Sequence, residues 1–563
     1  MKCNYTLENN TLTVSNLCFM HSIPNIDSAT AHTVSDTLSE PYLEVVAKRG
    51  EKTHTYRIWE DIPILYMPDY DEESLFTLEG EHWIARSVKL HAFTDENDTL
   101  TTETERHVFR QRIHGGLEGD MFFLEDMESA RAYTVVSDDP DFVTAKLTVS
   151  ENTVRVENGG VGLAIGFAEV GRCEELARAY YRHAKAPLPL VTMSNTWGDC
   201  NGYSRVSRDF IIREIDAAKE IGVDIVQIDD GWQTGNTDDK TRRDELGRRE
   251  FSGNFWDLRL DRFPNGMREV TDYATERGIK VGMWFAPDSH GDFALLDRDT
   301  EVLRRAYDEW GIRFFKLDMF WVSTDAERRR FLELLRRIYS FGNDVSVQLD
   351  VTRNLRMNYL SGKEYGTVFV ENRYTKTANS FPHRILRNLW SLSKYIPTSK
   401  FQFELVNPDL NKESYAETDP LAPSNYSMDY LFATVMLSNP LFWMEMQFLP
   451  ENRRAELRDI MGVFREHRDR LARLDVRPIG DKPSGRSFTG FAVTGGTGNA
   501  EYLLIFRELT DSDEAKIKAP IPKGASAQLL ATNSTGGVRL DEGEISIRLD
   551  NPRSYAFIRV IKK

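Results

Sequence analysis

The sequence predicts a multidomain fold: an N-terminal β-sandwich, a central (β/α)8 TIM barrel and a C-terminal antiparallel β-sandwich. Three observations lead there. Short strand-like runs fill the first third of the chain, strand-then-helix units repeat through the middle, and strand alternation returns near the end. The boundaries read from these changes of rhythm are residues 1–184, 185–468 and 469–563.

In the first segment TLTVSNLCFM, HTYRIWEDIPILYM, WIARSVKLHAFT and VGLAIGFAEV are apolar runs broken by polar and turn residues. Helical periodicity first appears in CEELARAYYRHA at 173–184, which predicts a helix closing the sandwich. From Pro187 the pattern changes. LPLVTMSNTW, DIVQIDDGW, KVGMWFAPD, RFFKLDMFW, VSVQLDV, GTVFVEN, FQFELVN and LFWMEMQF give eight strand candidates. Helical sequence such as SRDFIIREIDAAKEIG (207–222) lies between them. Eight units fit a barrel whose usual size is roughly 250 residues. A doubly wound sheet would carry a glycine-rich dinucleotide fingerprint, and none is present. FTGFAV, EYLLIFREL, ISIRLD and YAFIRVI then predict the last, all-β segment.

Composition narrows the function. The chain has 563 residues, 71 Lys plus Arg and 88 Asp plus Glu, for a formal charge of −17. Such a surface repels phosphate backbones, so no nucleic-acid partner is expected. No apolar run is long enough for a membrane span, and the first residues lack the apolar core of a signal peptide. The four cysteines, Cys3, Cys18, Cys173 and Cys200, have no disulfide-framework, zinc or redox spacing. A cytoplasmic location is expected.

In a barrel the chemistry sits at the carboxyl ends of the strands, where the loops converge. Sorted by that rule, nearly every strand sends an acid, amide or indole toward one mouth. Strand one supplies Trp197, strand two Asp229, Asp230 and Trp232, and strand three Trp284 and Asp288. Strand four supplies Lys316 and Asp318, strand five Asp350 with Arg356 beyond it, and strand six Glu371 and Arg373. Lys316 and Asp318 are two apart, so both face inward, where Lys316 can keep the carboxylate ionised. An ionised Asp among aromatic neighbours is a competent nucleophile toward a sugar anomeric carbon. Glu371 is the expected proton donor, with Asp350 competing for that role. The paired acids Asp229 and Asp230 suit a polyol, whose hydroxyls need acceptors. A hard cation at these acids is the competing reading, but Lys316 would repel it and no histidine spacing supports a transition metal.

WG at 197–198, IDDGW at 228–232, GMWFAPD at 282–288 and FFKLDMFW at 314–321 resemble the motifs of retaining α-galactosidases of glycoside hydrolase family 36. That family joins a β-supersandwich, a (β/α)8 barrel and a C-terminal β domain. The resemblance implies Asp318 as nucleophile, Asp229 and Asp230 on the O4 and O6 side of galactose, Lys316 on sugar hydroxyls, and Trp197 as a wall of the pocket. Two departures stand out. The family's acid/base aspartate on strand six falls on Glu371, and its Cys/Ser/Gly-rich stretch after strand five reads QLDVTRNLRMN. There Asp350 or Arg356 would meet the group at C2.

The leading expectation is therefore a retaining, exo-acting α-glycosidase, an α-galactosidase working by double displacement on oligosaccharides or glycosides, with no cofactor and no metal. Alternatives are another α-linked sugar specificity such as α-N-acetylgalactosaminidase, a transglycosidase, and a non-catalytic carbohydrate-binding scaffold. Since many family members self-associate, a homo-oligomer joins the expected partners.

Overall fold

The computed structural model describes all residues except 1, 36–39, 71–73, 92–99, 109, 139–143, 184–189, 200–203, 238–250, 252, 321, 323, 351–364, 371–372 and 563. At its centre eight parallel strands close in chain order. They are β1 (Met193–Asn195), β2 (Ile225–Ile228), β3 (Lys280–Phe285), β4 (Phe314–Leu317), β5 (Ser346–Asp350), β6 (Thr367–Phe369), β7 (Phe401–Leu405) and β8 (Asn439–Phe442). Closure is made by β1 on β8, with Met193 opposite Leu441 and Ser194 opposite Phe442. An open doubly wound sheet is thereby excluded. Most of these strand residues are buried, because side chains fill the barrel on one face while helices cover the other.

The described helices are α1 (Cys173–His183), α2 (Arg208–Ile221), α3 (Met267–Glu276), α4 (Leu296–Asp308), α5 (Asp325–Tyr339), α6 (Pro382–Leu392), α7 (Met428–Val435) and α8 (Glu451–Leu471). Local sequence explains their limits. In α2 Phe210, Ile211, Ile215, Ala218 and Ile221 recur at helical spacing and form the buried stripe. Ser207 caps its start through Phe210 N, and Gly222 ends it with φ +93°. The start of α5 is fixed by a capping box in which Thr324 and Glu327 each satisfy the other's backbone N–H. That box anchors the far end of the loop leaving β4.

Before the barrel lies a nine-stranded antiparallel sheet with a four-stranded and a three-stranded sheet. After it come a five-stranded and a three-stranded sheet. One buried apolar cluster runs from Phe123 and Tyr181 through Trp284 to Phe464, Tyr502 and Phe557, so the sheets pack onto the barrel. Polar ties flank this core. The Glu103 carboxylate accepts from Lys394 Nζ at 3.0 Å and Tyr395 OH at 2.6 Å, and Arg182 pairs with Asp475.

The barrel's seam depends on one missing side chain. A Cβ on Gly198, just past β1, would lie 2.2 Å from the backbone C and O of Trp443, just past β8. Only glycine lets the two strand tips come this close. Backbone offers no flexible end to move aside, so overpacking here should cost about 1–3 kcal/mol. Gly198→Ala is therefore expected to lower the denaturant midpoint followed by tryptophan fluorescence. An unchanged midpoint would show that the tips part without cost.

Candidate active site

The mouth of the barrel is organised around a buried ammonium. Lys316, on β4, is 2% exposed. Its Nζ lies 2.9 Å from Asp229 Oδ2, 3.1 Å from Asp350 Oδ2 and 3.9 Å from Asp318 Oδ2. The Trp443 ring faces the same nitrogen at 5.2 Å. Burial alone would push the lysine pKa down, yet the three carboxylates outweigh it and hold it above the usual lysine value. One cation against three carboxylates leaves a formal charge of −2. A surplus of fixed negative charge inside a low-dielectric mouth favours a ligand that becomes cationic.

Among these four groups Asp318 is the one open to the mouth. Its side chain is 13% exposed, against 2% for Lys316, 3% for Asp229 and 1% for Asp350. Both of its oxygens are aimed. Trp284 Nε1 donates to Oδ2 at 2.9 Å and Met319 N donates to Oδ1 at 2.5 Å. Met319 has φ +59°, a left-handed conformation that a non-glycine residue adopts at a cost of order 1 kcal/mol or more. The strain bends the chain immediately after the carboxylate, so that its own backbone N–H can turn back onto it.

The two acids at the end of β2 have separate duties. Asp229 Oδ2 accepts from Asn195 Nδ2 at 2.7 Å as well as from Lys316, while its Oδ1 accepts from Asp230 N at 2.8 Å. Asp230 takes Gln233 Nε2 at 2.5 Å and the Thr237 hydroxyl. Asp229 thus belongs to the charge cluster, and Asp230 ties down the loop beyond β2.

Other residues expected at the mouth divide by exposure. Trp197 is partly exposed and its N donates to Asn195 Oδ1 at 2.8 Å, which sets it at the rim beside β1. Trp284 is nearly enclosed and its indole N–H serves Asp318, so it is an orienting group for that carboxylate. Trp232, Asp288 and Arg373 have 0% exposure and present no surface to a ligand, which corrects their reading as sugar contacts. Trp232 is packed against Trp256 and Trp310 and donates to the Trp284 carbonyl. Asp288 receives Phe251 N at 2.9 Å and His290 N at 3.0 Å, clasping two loops. Arg373 donates to the Asn379 carbonyl at 3.0 Å. These three support the mouth from behind. Glu371 and Arg356 lie outside the described residues.

Sequence reasoning missed a layer beneath the acids. Asn195 Nδ2 donates to Gln227 Oε1 at 2.6 Å, and Gln227 Nε2 donates to Gln348 Oε1 at 2.8 Å. Each stands two residues before a mouth residue: Trp197, Asp229 and Asp350. That is the same inward alternation that pairs Lys316 with Asp318. Trp443 was missed as well, because nothing in LFWMEMQF says which aromatic meets the lysine. On the β8 side Asp199 accepts Glu445 N at 3.0 Å, and burial pushes its pKa up to about 7.

Among the described residues no group of three or more His, Cys, Asp and Glu has the arrangement of a metal site, and no helix is long and apolar enough to cross a membrane.

Comparison with known proteins places this arrangement. The melibiase family profile matches residues 153–319, which include β1–β4 and both Lys316 and Asp318. The α-galactosidase Mel36A of Lactobacillus acidophilus is 29% identical over 115 residues, 20% of this chain and 14% of the relative. The α-galactosidase AgaA of Geobacillus stearothermophilus is 27% identical over 154 residues, 27% of this chain and 18% of the relative. In sequence, then, the chain matches about a seventh to a fifth of the length of these curated relatives. The likeness of fold is far more extensive. The α-galactosidase structure from Lactobacillus brevis superposes with TM-score 0.67 at 11% identity, over 96% of this chain and 86% of that one. The AgaA structure gives 0.65 at 12% identity, over 100% and 89%. Over residues 153–319, then, the chain is similar to the melibiase family, and its fold is that of solved α-galactosidases of glycoside hydrolase family 36.

Proposed function

We propose that the protein is a retaining, exo-acting α-galactosidase that releases terminal α-linked galactose from oligosaccharides. The observation that carries the reading is the Asp318 carboxylate, aimed by Trp284 and Met319 and open to the mouth, while the charges around it are enclosed. A related α-galactosidase from Geobacillus stearothermophilus has been solved in complex with raffinose and with stachyose. We extend that substrate class to this chain.

Each step follows from charge and reach. The proton donor gives its proton to the glycosidic oxygen as the bond to the anomeric carbon breaks. Asp318 bonds to that carbon from the opposite face and forms a β-linked glycosyl-enzyme. The donor, now a base, takes a proton from water, which attacks the same carbon and expels Asp318. Two inversions restore the α configuration. The −2 cluster favours the oxocarbenium-like transition state of both steps. Lys316 restrains the ground-state carboxylates without neutralising them all.

We assign the proton donor to Glu371. Asp350 competes for that role, but its carboxylate is engaged with the Lys316 ammonium at 3.1 Å and its side chain is 1% exposed. A carboxylate so paired and enclosed is a poor source of a proton. A cytoplasmic location belongs to the same reading and agrees with the free thiols of Cys3, Cys18 and Cys173.

Asp318→Ala should lower turnover of an aryl α-galactoside on the order of 10⁴-fold while its circular-dichroism spectrum stays that of the folded protein. Added azide should restore turnover and give the β-galactosyl azide. Rescue without inversion, or substantial residual hydrolysis, would remove Asp318 from the nucleophile's role. In Glu371→Ala, substrates with good leaving groups should lose much less activity than raffinose, since they need little protonation. Equal loss on both would transfer the proton donor to Asp350.

A further inference from the structure

Beneath the charged mouth three buried amides form a chain whose direction is set from the mouth downward. Asn195 on β1, Gln227 on β2 and Gln348 on β5 are 0%, 0% and 3% exposed, so none of them reaches a ligand. An amide can sit either way round unless its partners decide, and here they do. The Trp197 backbone N–H only donates, so Asn195 Oδ1, at 2.8 Å, must face it. Asn195 Nδ2 then donates twice, to Asp229 Oδ2 at 2.7 Å and to Gln227 Oε1 at 2.6 Å. With its oxygen so engaged, Gln227 turns Nε2 the other way and donates to Gln348 Oε1 at 2.8 Å. Reversing Gln227 would set N–H against N–H at Asn195 and oxygen against oxygen at Gln348.

The chain crosses the barrel. Strands β3 and β4 stand between β2 and β5, so the bond from Gln227 to Gln348 runs through the interior. A glycine on β3 makes the room. Gly282 lies opposite Gln227, and a Cβ there would come within 3.4 Å of Gln227 Cγ and 3.3 Å of Phe314 Cβ. Two residues deeper on the same faces the filling is apolar again, with Met193 and Ile225. Buried amides are a costly way to fill a barrel core, and these occur directly under the charges. At the upper end, Asn195 and the Lys316 ammonium share Asp229 Oδ2, at 2.7 and 2.9 Å. Lys316 is thereby left between Asp229, Asp350 at 3.1 Å and Asp318 at 3.9 Å. Asp318 is the loosest of the three, so its place depends on where the other two hold the lysine.

We propose that Gln227 is a positioning residue of the reaction: by fixing the sense of Asn195 it holds Asp229, and through Lys316 it sets the place of Asp318. The proposal rests on the glycosidase reading of Asp318 and extends the machinery to a residue with no access to substrate.

The test compares kcat and KM for p-nitrophenyl α-galactoside in the unaltered protein, Gln227→Met and Gln227→Glu, with folding followed by circular dichroism. Methionine keeps the length of the side chain and makes neither hydrogen bond. It should lower kcat about ten- to thirty-fold while KM stays within about three-fold, as when reacting groups are misplaced and ground-state contacts remain. A glutamate buried beneath the −2 cluster stays protonated. Its carbonyl oxygen accepts from Asn195 and its O–H donates to Gln348, so Gln227→Glu should keep kcat within about three-fold of the unaltered value. A Met variant with unaltered kcat, a rise in KM at constant kcat, or a Glu variant as impaired as Met would each overturn the proposal. If Gln227→Met does not fold, Gln348→Met removes only the far anchor and should lower kcat about three-fold with the same split. An unchanged kcat there would overturn the proposal as well. Failure of the unaltered protein to turn over the substrate would instead overturn the glycosidase reading on which the proposal rests.

Discussion

The structure turns on the ammonium of Lys316. A cation buried to 2% exposure is tolerable only where carboxylates surround it, and three do. Three carboxylates drawn into one mouth would in turn repel each other apart without it. Removing one partner of a buried pair typically costs about 3–5 kcal/mol, so the members of this cluster constrain one another. Because the partners come from β2, β4 and β5, the cluster also ties three neighbouring strand tips into one geometry.

Much of the surrounding architecture reads as support for that cluster. Gly198 lets β1 close against the backbone after β8, which sets Trp443 over the lysine. The Asn195, Gln227 and Gln348 side chains form a hydrogen-bonded layer beneath the charges and satisfy polar groups that would be expensive to bury alone. Trp232, Asp288 and Arg373 brace the loops from within the packed interior. Rigid support of this kind matters because a nucleophile misplaced by about 1 Å loses much of its advantage. The strained Met319 backbone fits the same logic, since strain at one residue persists only where the surroundings over-determine it.

The barrel was legible in the sequence because its signal is repeated. Eight apolar runs with helical stretches between them leave few alternative folds, and the mouth acids stood at the ends of those runs. Lys316 and Asp318 were legible as a pair because a two-residue spacing on a strand means one face. The same rule applied to SNTW, VQID and VQLD would have brought out Asn195, Gln227 and Gln348. Distinguishing an indole that touches ligand from one that braces a loop was beyond the sequence. Trp197, Trp232 and Trp284 all follow or end apolar runs, yet they reach the rim, the core and the nucleophile respectively. That outcome is decided by which loop folds over which strand tip, a long-range packing matter with no local signature. Asp288 was misread for the same reason, its partners Phe251 and His290 lying on two different loops.

The central claim is that Asp318, held by this cluster, forms the bond to the sugar. Its most direct test is peptide mass spectrometry after treatment with a fluorinated α-galactosyl fluoride that forms the glycosyl-enzyme quickly and releases it slowly. The account predicts a single added galactosyl-derived mass on the peptide containing FFKLDMFW, located at Asp318. A stable adduct on Asp229, Asp230 or Asp350, or inactivation with no covalent mass at all, would contradict it.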